Sequence, residues 1–335
     1  MQQTIPLPPG YRAAEILAYH GRDPASLSER VTGTRIEKPF LVGGKPVLLS
    51  IDVAGDAAGL VVDHPLSEVD EAGTETMARR MLGLVTDPAA FEAHRAAALL
   101  VGARQGLRIP LTATVFEALC WAVIGQQINL NFAAALRREM IDLAGIRHAE
   151  SGLVAHPGPA EVAAIDPAAL AARRFSRAKA RYLTGVAAAV AAGQPDLDAL
   201  AEQEPAAIET ALVALPGIGP WTARYVLLRG FGHADTAPIG DSGLATGLQR
   251  LHGLDRRPTP QEQEAAMLAF APHRSLATVH LWASLADQAR PSGTKSRKPV
   301  TRSILPPETV AKSVPPASAG PSPGASSQLK RKLDP

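Results

Sequence analysis

The chain has 335 residues with 46% hydrophobic and 20% charged side chains, which is enough for two ordinary domains of a soluble globular protein. Its single cysteine, Cys120, excludes an intramolecular disulfide framework and any zinc or iron–sulfur site built from cysteines alone. No segment approaches the roughly twenty apolar residues of a membrane span, and the N-terminus lacks an apolar signal core. We therefore expect an intracellular protein, cytoplasmic or nucleoid-associated in a bacterium, without membrane contact.

The formal net charge of +2 is unevenly distributed. In the segment 291–335, eight Lys and Arg residues face two acidic ones, so this segment carries +6 and the remaining chain −4. Because the segment is rich in Pro, Ser, Gly and Lys, we predict a disordered basic tail. Its closing KRKLDP is more simply explained as solvated than as a DNA contact. If the folded part binds nucleic acid, it must use a local patch and backbone donors.

Residues 1–108 are predicted to form an α+β domain with an antiparallel sheet and helices. Short Gly-rich turns separate the β-like runs, which favours antiparallel neighbours. The predicted elements are a helix over 11–20, strands over 35–42, 45–53 and 59–66, and helices over 67–84 and 87–103.

Residues 109–290 are predicted to form an all-α domain, since the periodicity is helical over 111–289 and no further strand signal is present. The first helix shows the i, i+3, i+4, i+7, i+8 spacing of a buried face. Cys120 belongs to this face, so we interpret it as a small core residue and not as a nucleophile. The face consists of Phe116, Leu119, Cys120, Val123 and Ile124.

Two apolar helices joined by a glycine hairpin are predicted on either side of Pro216-Gly217-Ile218-Gly219-Pro220. Pro205 suits the first turn of the first helix, and the second helix is predicted to start at Trp221. Gly217 and Gly219 leave the turn without side chains, so that a phosphate could approach the amides of the second helix. Such a contact holds a nucleic-acid backbone without reading its sequence. A plain αα-hairpin explains the glycine turn alone equally well.

The surrounding residues resemble a known family. The helix-hairpin-helix DNA glycosylase superfamily, which includes endonuclease III, is similar to this chain at LPGIGPWTARYVLL, at the following DTAPIGDSGL and at the earlier GQQIN. The segments on either side resemble the alkylation-repair branch, that of DNA-3-methyladenine glycosylase II, over residues 8–289. The resemblance implies a helix-hairpin-helix glycosylase domain in which Gly217, Ile218 and Gly219 contact the DNA backbone.

The resemblance also separates the branches of the superfamily. Members that cut the strand keep a lysine in the hairpin, in the pattern LPGVGxKTA, and use it to form a Schiff base with the sugar. Trp221 stands at that position here, and an indole cannot form an imine. The four-cysteine cluster of the endonuclease III and adenine-mismatch branches is missing as well. We therefore expect a monofunctional glycosylase without lyase activity.

Asp241 matches the catalytic aspartate of the family. In that role its carboxylate stabilises the oxocarbenium-like sugar as the base departs and orients or deprotonates the attacking water. Asp235, six residues earlier, is the competing candidate. Its place directly after the second hairpin helix favours a structural hydrogen-bonding role, so we predict catalysis by Asp241.

An aromatic base pocket is expected, because alkylated purines such as 3-methyladenine carry positive charge and ring faces attract cations. By resemblance, Trp221, Tyr225 and Trp282 match pocket residues, and Tyr19 matches an aromatic residue from the N-terminal domain. Packing within its own helix is the alternative for Trp282, and for Tyr19 the two interpretations are even. Ser242 replaces an aromatic residue that follows the aspartate in some relatives, which predicts a more open wall and leaves the substrate range undefined.

A base must leave the duplex stack before it is cut, and an inserted side chain then fills the gap. Gln127 matches this wedge position, whereas Gln126 is predicted to be structural; capping of the helix ends by both is the alternative. A basic cluster either lines the DNA path or forms a solvated helix face. It consists of Arg173, Arg174, Arg177, Lys179 and Arg181.

The nine histidines show no HxxxH or HxH pattern, so we expect no catalytic metal and no cofactor. The resemblance allows a structural monovalent cation at the hairpin carbonyls. Taken together, we expect a monomeric enzyme that hydrolyses the N-glycosidic bond of alkylated purines in double-stranded DNA. The alternatives are a mismatch- or uracil-directed glycosylase on the same scaffold, and a noncatalytic helix-hairpin-helix DNA-binding protein.

Overall fold

The N-terminal part of the protein is built on a five-stranded antiparallel sheet with the strand order β1-β5-β4-β3-β2. The computed structural model describes residues 2–64 and 70–289, and the predicted tail lies outside them. The three predicted strands are present, although the third ends at Val62 and not at residue 66. The strands are β1 Gln2–Pro6, β2 Arg30–Thr32, β3 Arg35–Val42, β4 Lys45–Ala54 and β5 Ala57–Val62.

One face of the sheet is buried because apolar residues alternate along its central strands. In β4, Val47, Leu49, Ile51 and Val53 are buried and the intervening residues are partly open. The antiparallel register sets Ile51 opposite residues 36 and 60 on the neighbouring strands, so that their apolar side chains share this face. The predicted antiparallel α+β arrangement is confirmed.

A network of buried charges joins the sheet to the helices. Lys38, on the buried face of β3, donates from Nζ to Glu117 Oε2 at 2.9 Å and to Glu29 Oε1 at 3.2 Å. Arg137 Nη2 lies 3.6 Å from a carboxylate oxygen of each glutamate, and His20 Nδ1 lies 3.1 Å from Glu29 Oε2. Burial by itself raises the pKa of Glu29, but Lys38 and the other cations hold it well below its ordinary value.

The helical elements surround a second core, and the predicted buried face of α4 is confirmed, including the free thiol of Cys120. Within the described residues, no helix is both long and apolar enough to cross a bilayer. The helices are α1 Ala13–His20, α2 Glu71–Met81, α3 Ala89–Glu92, α4 Val115–Gly125, α5 Leu130–Ala144, α6 Pro159–Ala163, α7 Pro167–Ala172, α8 Arg177–Ala191, α9 Leu197–Ala201, α10 Pro205–Val213, α11 Pro220–Val226, α12 Ser242–His252, α13 Pro260–Leu268 and α14 Arg274–Ala289.

Two predictions need correction. The helix predicted over 87–103 is the short α3 followed by the 3₁₀ turns Ala97–Leu99 and Gly102–Arg104, because packing around buried residues overrides the helix propensity of an alanine-rich segment. The region predicted to be free of strands contains a two-stranded antiparallel ribbon, β6 Ile146–Arg147 and β7 Val154–Ala155. Strands of two residues are too short to show a period-two pattern.

Candidate active site

The predicted hairpin lies between α10 and α11. Pro205 begins the first helix as predicted, and the second begins one residue earlier than predicted, at Pro220. Ile218 is buried, and its amide donates to the carbonyl of Leu215 at 3.1 Å. The hairpin is therefore fixed to the helical core by the side chain at its centre.

The two hairpin glycines differ in what surrounds them. Gly217 has φ +84°, and a Cβ atom there would lie 2.3 Å from the ring of Tyr182, so its missing side chain makes room for that ring. Our expectation that both glycines leave the turn open is therefore wrong for Gly217. Gly219 has φ −99°, and nothing lies within 4 Å of the position of its Cβ. Gly219 alone of the two leaves an open surface.

The start of α11 presents backbone donors beside this open surface. Gly219 is the N-cap and has no side chain to cap the helix, and Pro220 at the first position has no N–H group. The amides of Trp221 and Thr222, at the next two positions, have no carbonyl of a preceding turn to bind. This arrangement suits an anionic group at the helix start.

The turn after α4 is held against the hairpin by Gln126. Its Nε2 donates to the carbonyl of Gly217 at 2.9 Å and to Thr222 Oγ1 at 3.0 Å. Lys179 Nζ donates to the carbonyls of Ile124 at 2.6 Å and Gln126 at 3.0 Å. The next residue, Gln127, is exposed and adopts φ +57°. Gln126 thus bridges two loops, which fits its predicted structural role, and Gln127 projects beyond the bridge.

The basic cluster is partly engaged within the protein. Lys179 binds the two carbonyls just described, and Arg173 Nη1 lies 3.0 Å from Glu139 Oε2 and 3.2 Å from Asp142 Oδ2. The guanidinium carbon of Arg174 lies 5.3 Å from the ring centre of Phe132. Arg173 and Lys179 are thus committed to contacts within the protein.

Three of the predicted pocket residues lie in one line, which we call the aromatic row: Trp221, Tyr225 and Trp282. The ring centres of Trp221 and Tyr225 are 5.7 Å apart with 33° between the planes, and those of Tyr225 and Trp282 are 6.2 Å apart with 40°. All three side chains are half-buried. Burial and then the neighbouring Tyr19 raise the pKa of Tyr225 to about 12, against the opposing charges of Arg229 and Arg22, so its hydroxyl stays protonated.

Asp241 is the N-cap of α12 and lies against the aromatic row. Its Oδ1 accepts hydrogen bonds from the amide of Leu244 at 2.7 Å and from Trp282 Nε1 at 2.9 Å. Gly243 permits this approach, since a Cβ there would lie 3.0 Å from the Trp282 ring. Both hydrogen bonds end on Oδ1, which leaves Oδ2 available to a ligand. Trp282 therefore orients the carboxylate in addition to extending the row.

Asp235, the competing candidate, is fully engaged with Arg274. Arg274 Nε donates to Oδ1 at 2.7 Å and Nη2 donates to Oδ2 at 3.0 Å, and the Arg274 amide adds a bond of 3.3 Å to Oδ1. Burial raises the pKa of Asp235, but the bonds from Arg274 outweigh it and lower the pKa overall. The geometry fits the structural role that we predicted for Asp235.

Tyr19 reaches the site from α1 together with residues that the sequence did not indicate. The guanidinium carbon of Arg229 lies 4.7 Å from the ring centre of Tyr19 and 5.3 Å from that of Trp282. The guanidinium carbon of Arg22 lies 3.9 Å from the Tyr19 ring centre and 5.2 Å from that of Trp121. The sequence gives a weak indication that Trp121 belongs to the site, because this large aromatic residue lies off the apolar face of its helix. The two arginines belong to no motif. Among the described residues, Tyr19 is thus joined to the aromatic row through Arg229.

One group of described residues has the composition of a metal site. His148 Nε2 lies 2.8 Å from Asp63 Oδ2 and 3.1 Å from Glu150 Oε2. The amide of Ser151 donates to His148 Nδ1 at 3.2 Å, which makes Nδ1 an acceptor and leaves the proton on Nε2. The ring Nε2–H then donates to the two carboxylates, and these hydrogen bonds account for the grouping.

A glycine hairpin between two helices is followed by an aspartate that caps the next helix beside neighbouring aromatic rings. Residues 120–273 match the family described as HhH-GPD superfamily base excision DNA repair protein. The matched region contains the hairpin and Asp241.

Similar proteins carry related names. The chain is 34% identical over 179 residues to the DNA-3-methyladenine glycosylase of Bacillus subtilis, covering 53% of this chain and 59% of the relative. It is 33% identical over 187 residues to DNA-3-methyladenine glycosylase 2 of Escherichia coli, covering 55% of this chain and 62% of the relative. The chain thus spans about six-tenths of the length of these curated relatives.

Solved structures share the fold. The 3-methyladenine DNA-glycosylase of Archaeoglobus fulgidus superposes with a TM-score of 0.74 at 18% identity, covering 86% of this chain and 99% of that one. A Clostridium acetobutylicum 8-oxoguanine glycosylase/lyase in complex with double-stranded DNA gives a TM-score of 0.63 at 14% identity, covering 78% and 89%. At these identities the likeness concerns the fold alone.

Proposed function

We propose that the protein hydrolyses the N-glycosidic bond of alkylated purines in double-stranded DNA and leaves an abasic site. The observation that carries the proposal is the Asp241 carboxylate, which has one oxygen held by Leu244 and Trp282 and the other open beside the aromatic row. The names of the relatives from Bacillus subtilis and Escherichia coli support the choice of the 3-methyladenine class.

In this proposal Asp241 supports bond cleavage through charge. As the base leaves with the bonding electron pair, positive charge develops on the sugar, and the nearby carboxylate stabilises it. A water molecule bound by Oδ2 then attacks the anomeric carbon and loses a proton, which completes the hydrolysis. A base that is already cationic is a good leaving group, so little acid catalysis is needed. Trp221 provides no amine, and the proposed reaction therefore includes no imine and no strand cleavage.

The other features of the site serve to present the damaged nucleotide to Asp241. The amides at the start of α11, beside Gly219, hold a phosphate of the DNA backbone. Gln127 enters the stack and fills the space left by the flipped nucleotide. The flipped base then lies against the aromatic row and Tyr19, where ring faces attract it. Gln126 keeps the wedge turn and the hairpin at a fixed spacing, since it is bonded to both.

The same proposal includes a monomer acting on duplex DNA and no cofactor for the reaction. A structural monovalent cation fits the hairpin, because the carbonyls of Leu215 and Gly217 each accept one hydrogen bond and keep a second lone pair. No catalytic role is assigned to it. Light scattering on the protein with and without a duplex oligonucleotide tests the monomer.

The decisive experiment is a lesion panel. Duplexes that each carry one 7-methylguanine, 3-methyladenine, uracil or mismatched base are incubated with the protein, and released bases are quantified by chromatography. We expect release of the methylated purines and intact strands until the abasic sites are cleaved by alkali. Release of uracil or of the mismatched base alone would support another specificity on this scaffold. Binding of all duplexes without release of any base would identify a noncatalytic binding protein and contradict the proposal.

A further inference from the structure

Arg22 places a positive charge on the aromatic surface that the substrate base is expected to use. Its guanidinium carbon is 3.9 Å from the ring centre of Tyr19 and 5.2 Å from that of Trp121, within the range of cation–π contacts. Arg229 lies 4.7 Å from the same Tyr19 ring centre. Tyr19 is therefore in contact with two protein cations in the substrate-free protein.

The two arginines differ in how firmly they are held. Arg229 is buried, and its Nη1 donates to the carbonyl of Pro110 at 2.8 Å. Arg22 is exposed, and the hydrogen bond from its Nη1 to the carbonyl of Tyr19 is long, at 3.4 Å. Arg229 is thus a fixed part of the site. Arg22 lies on the Tyr19 ring from a residue that is partly open to solvent.

This arrangement changes which damaged bases the pocket favours. A cationic methylated purine that stacks on Tyr19 must displace Arg22 or tolerate a like charge within a few ångströms, whereas a neutral damaged purine meets no such repulsion. A neutral base can also stack against the planar guanidinium itself.

We propose that Arg22 is a specificity-determining residue that disfavours cationic bases relative to neutral damaged purines. The inference rests on the proposed function and concerns the choice of base at the same site. A cation–π contact at an exposed position corresponds to a change in equilibrium of roughly two- to fivefold, which sets the size of the expected effect.

The test compares one cationic and one neutral lesion. Single-turnover rate constants for release of 7-methylguanine and of hypoxanthine are measured with the wild type, Arg22→Gln and Arg22→Lys. We expect Arg22→Gln to raise the ratio of the 7-methylguanine rate to the hypoxanthine rate roughly two- to fivefold, by loss of the cation. Arg22→Lys keeps the charge and loses the planar stacking surface, so its ratio should lie between the other two.

Controls separate this role from a contact with the DNA phosphates. Arg147→Gln removes another exposed arginine, whose Nη1 donates to the carbonyl of Gly152 at 2.6 Å, and should leave the ratio unchanged. If Arg22→Gln weakens DNA binding and slows both reactions equally, Arg22 is a phosphate contact and the inference is overturned. A wild type that releases 7-methylguanine but no hypoxanthine overturns it as well, with the proposed function intact. A wild type that releases neither base overturns both.

Discussion

Asp241 combines two roles that a pair of substitutions can separate. Its carboxylate is the proposed catalytic group, and the same side chain caps α12 by accepting from the amide of Leu244. Asparagine caps a helix about as well as aspartate, and its side-chain oxygen can accept from both Leu244 and Trp282. Alanine can do neither. Asp241→Asn should therefore remove the charge alone, whereas Asp241→Ala removes the charge, the cap and the partner of Trp282.

The magnitudes follow from these contacts. Loss of an N-cap costs about 1 kcal/mol, and an unpaired indole N–H that is half-buried costs roughly 1 to 2 kcal/mol more. We expect Asp241→Ala to lose about 2 to 3 kcal/mol of the free energy of unfolding, and Asp241→Asn to lose less than about 0.5 kcal/mol. Both variants should lose base release by roughly 10²- to 10⁴-fold, the range expected when a positioned acid–base group is removed.

Thermal unfolding and single-turnover base release on the same preparations measure the two roles, and DNA binding measured by fluorescence anisotropy should remain close to that of the wild type. Asp166→Ala is a matched control, since Asp166 is an exposed N-cap that accepts from the amide of Ala168 at 2.8 Å. It should lose stability by about 1 kcal/mol and keep full turnover. Substantial base release by Asp241→Asn would refute the reasoning, because the cap would then be the only role of Asp241.

Three further predictions concern the site and the core. Trp282→Phe keeps a ring in the aromatic row but removes the bond to Asp241, so the single-turnover rate should fall roughly 10- to 100-fold, and an unchanged rate would show that the bond is not needed. Gly217→Ala should lose more than about 2 kcal/mol of the free energy of unfolding in chemical denaturation, since φ is +84° there and the added Cβ would meet a tyrosine ring. Gly219→Ala should fold normally and weaken DNA binding, and equal stabilities of the two variants would contradict this prediction. Burial lowers the pKa of His156 to about 4, so between pH 6.5 and 4 the unfolded chain binds a proton that the folded chain does not. From pH 7 to 4.5 the wild type should therefore lose about 2 to 3 kcal/mol more of its free energy of unfolding than His156→Leu. Equal losses in the two proteins would refute this prediction.

Local signals in the sequence predict the parts of the fold that local interactions determine. β-like runs bounded by Gly-rich turns predict β3 and β4 within a residue, and proline at a first helical turn predicts the start of α10. The first strand, QQTIP, is mostly polar and is present because it pairs with β5 along residues 57–61. Such a strand depends on its partner, and its own residues give no alternation to detect.

The same distinction applies to the candidate site. The hairpin pattern and the family resemblance indicate Asp241 and the aromatic row, and the structure brings these residues together. Arg22, Arg229 and Trp121 could not be predicted, because their positions around Tyr19 arise from packing of α1 against the helical core. A further example is Gly217, whose conformation follows from the hairpin but whose contact with a distant tyrosine ring does not.

The buried charges around Lys38 limit how the protein can be divided. Lys38 belongs to the sheet, whereas Glu117 and Arg137 belong to α4 and α5, so a cut between the parts would separate the ammonium of Lys38 from the buried carboxylate of Glu117. A fragment that retains only the helices would expose the carboxylate of Glu117 on a face built to be covered. The sheet is therefore an integral part of the folded unit, and a minimal version for engineering must include the strand that carries Lys38.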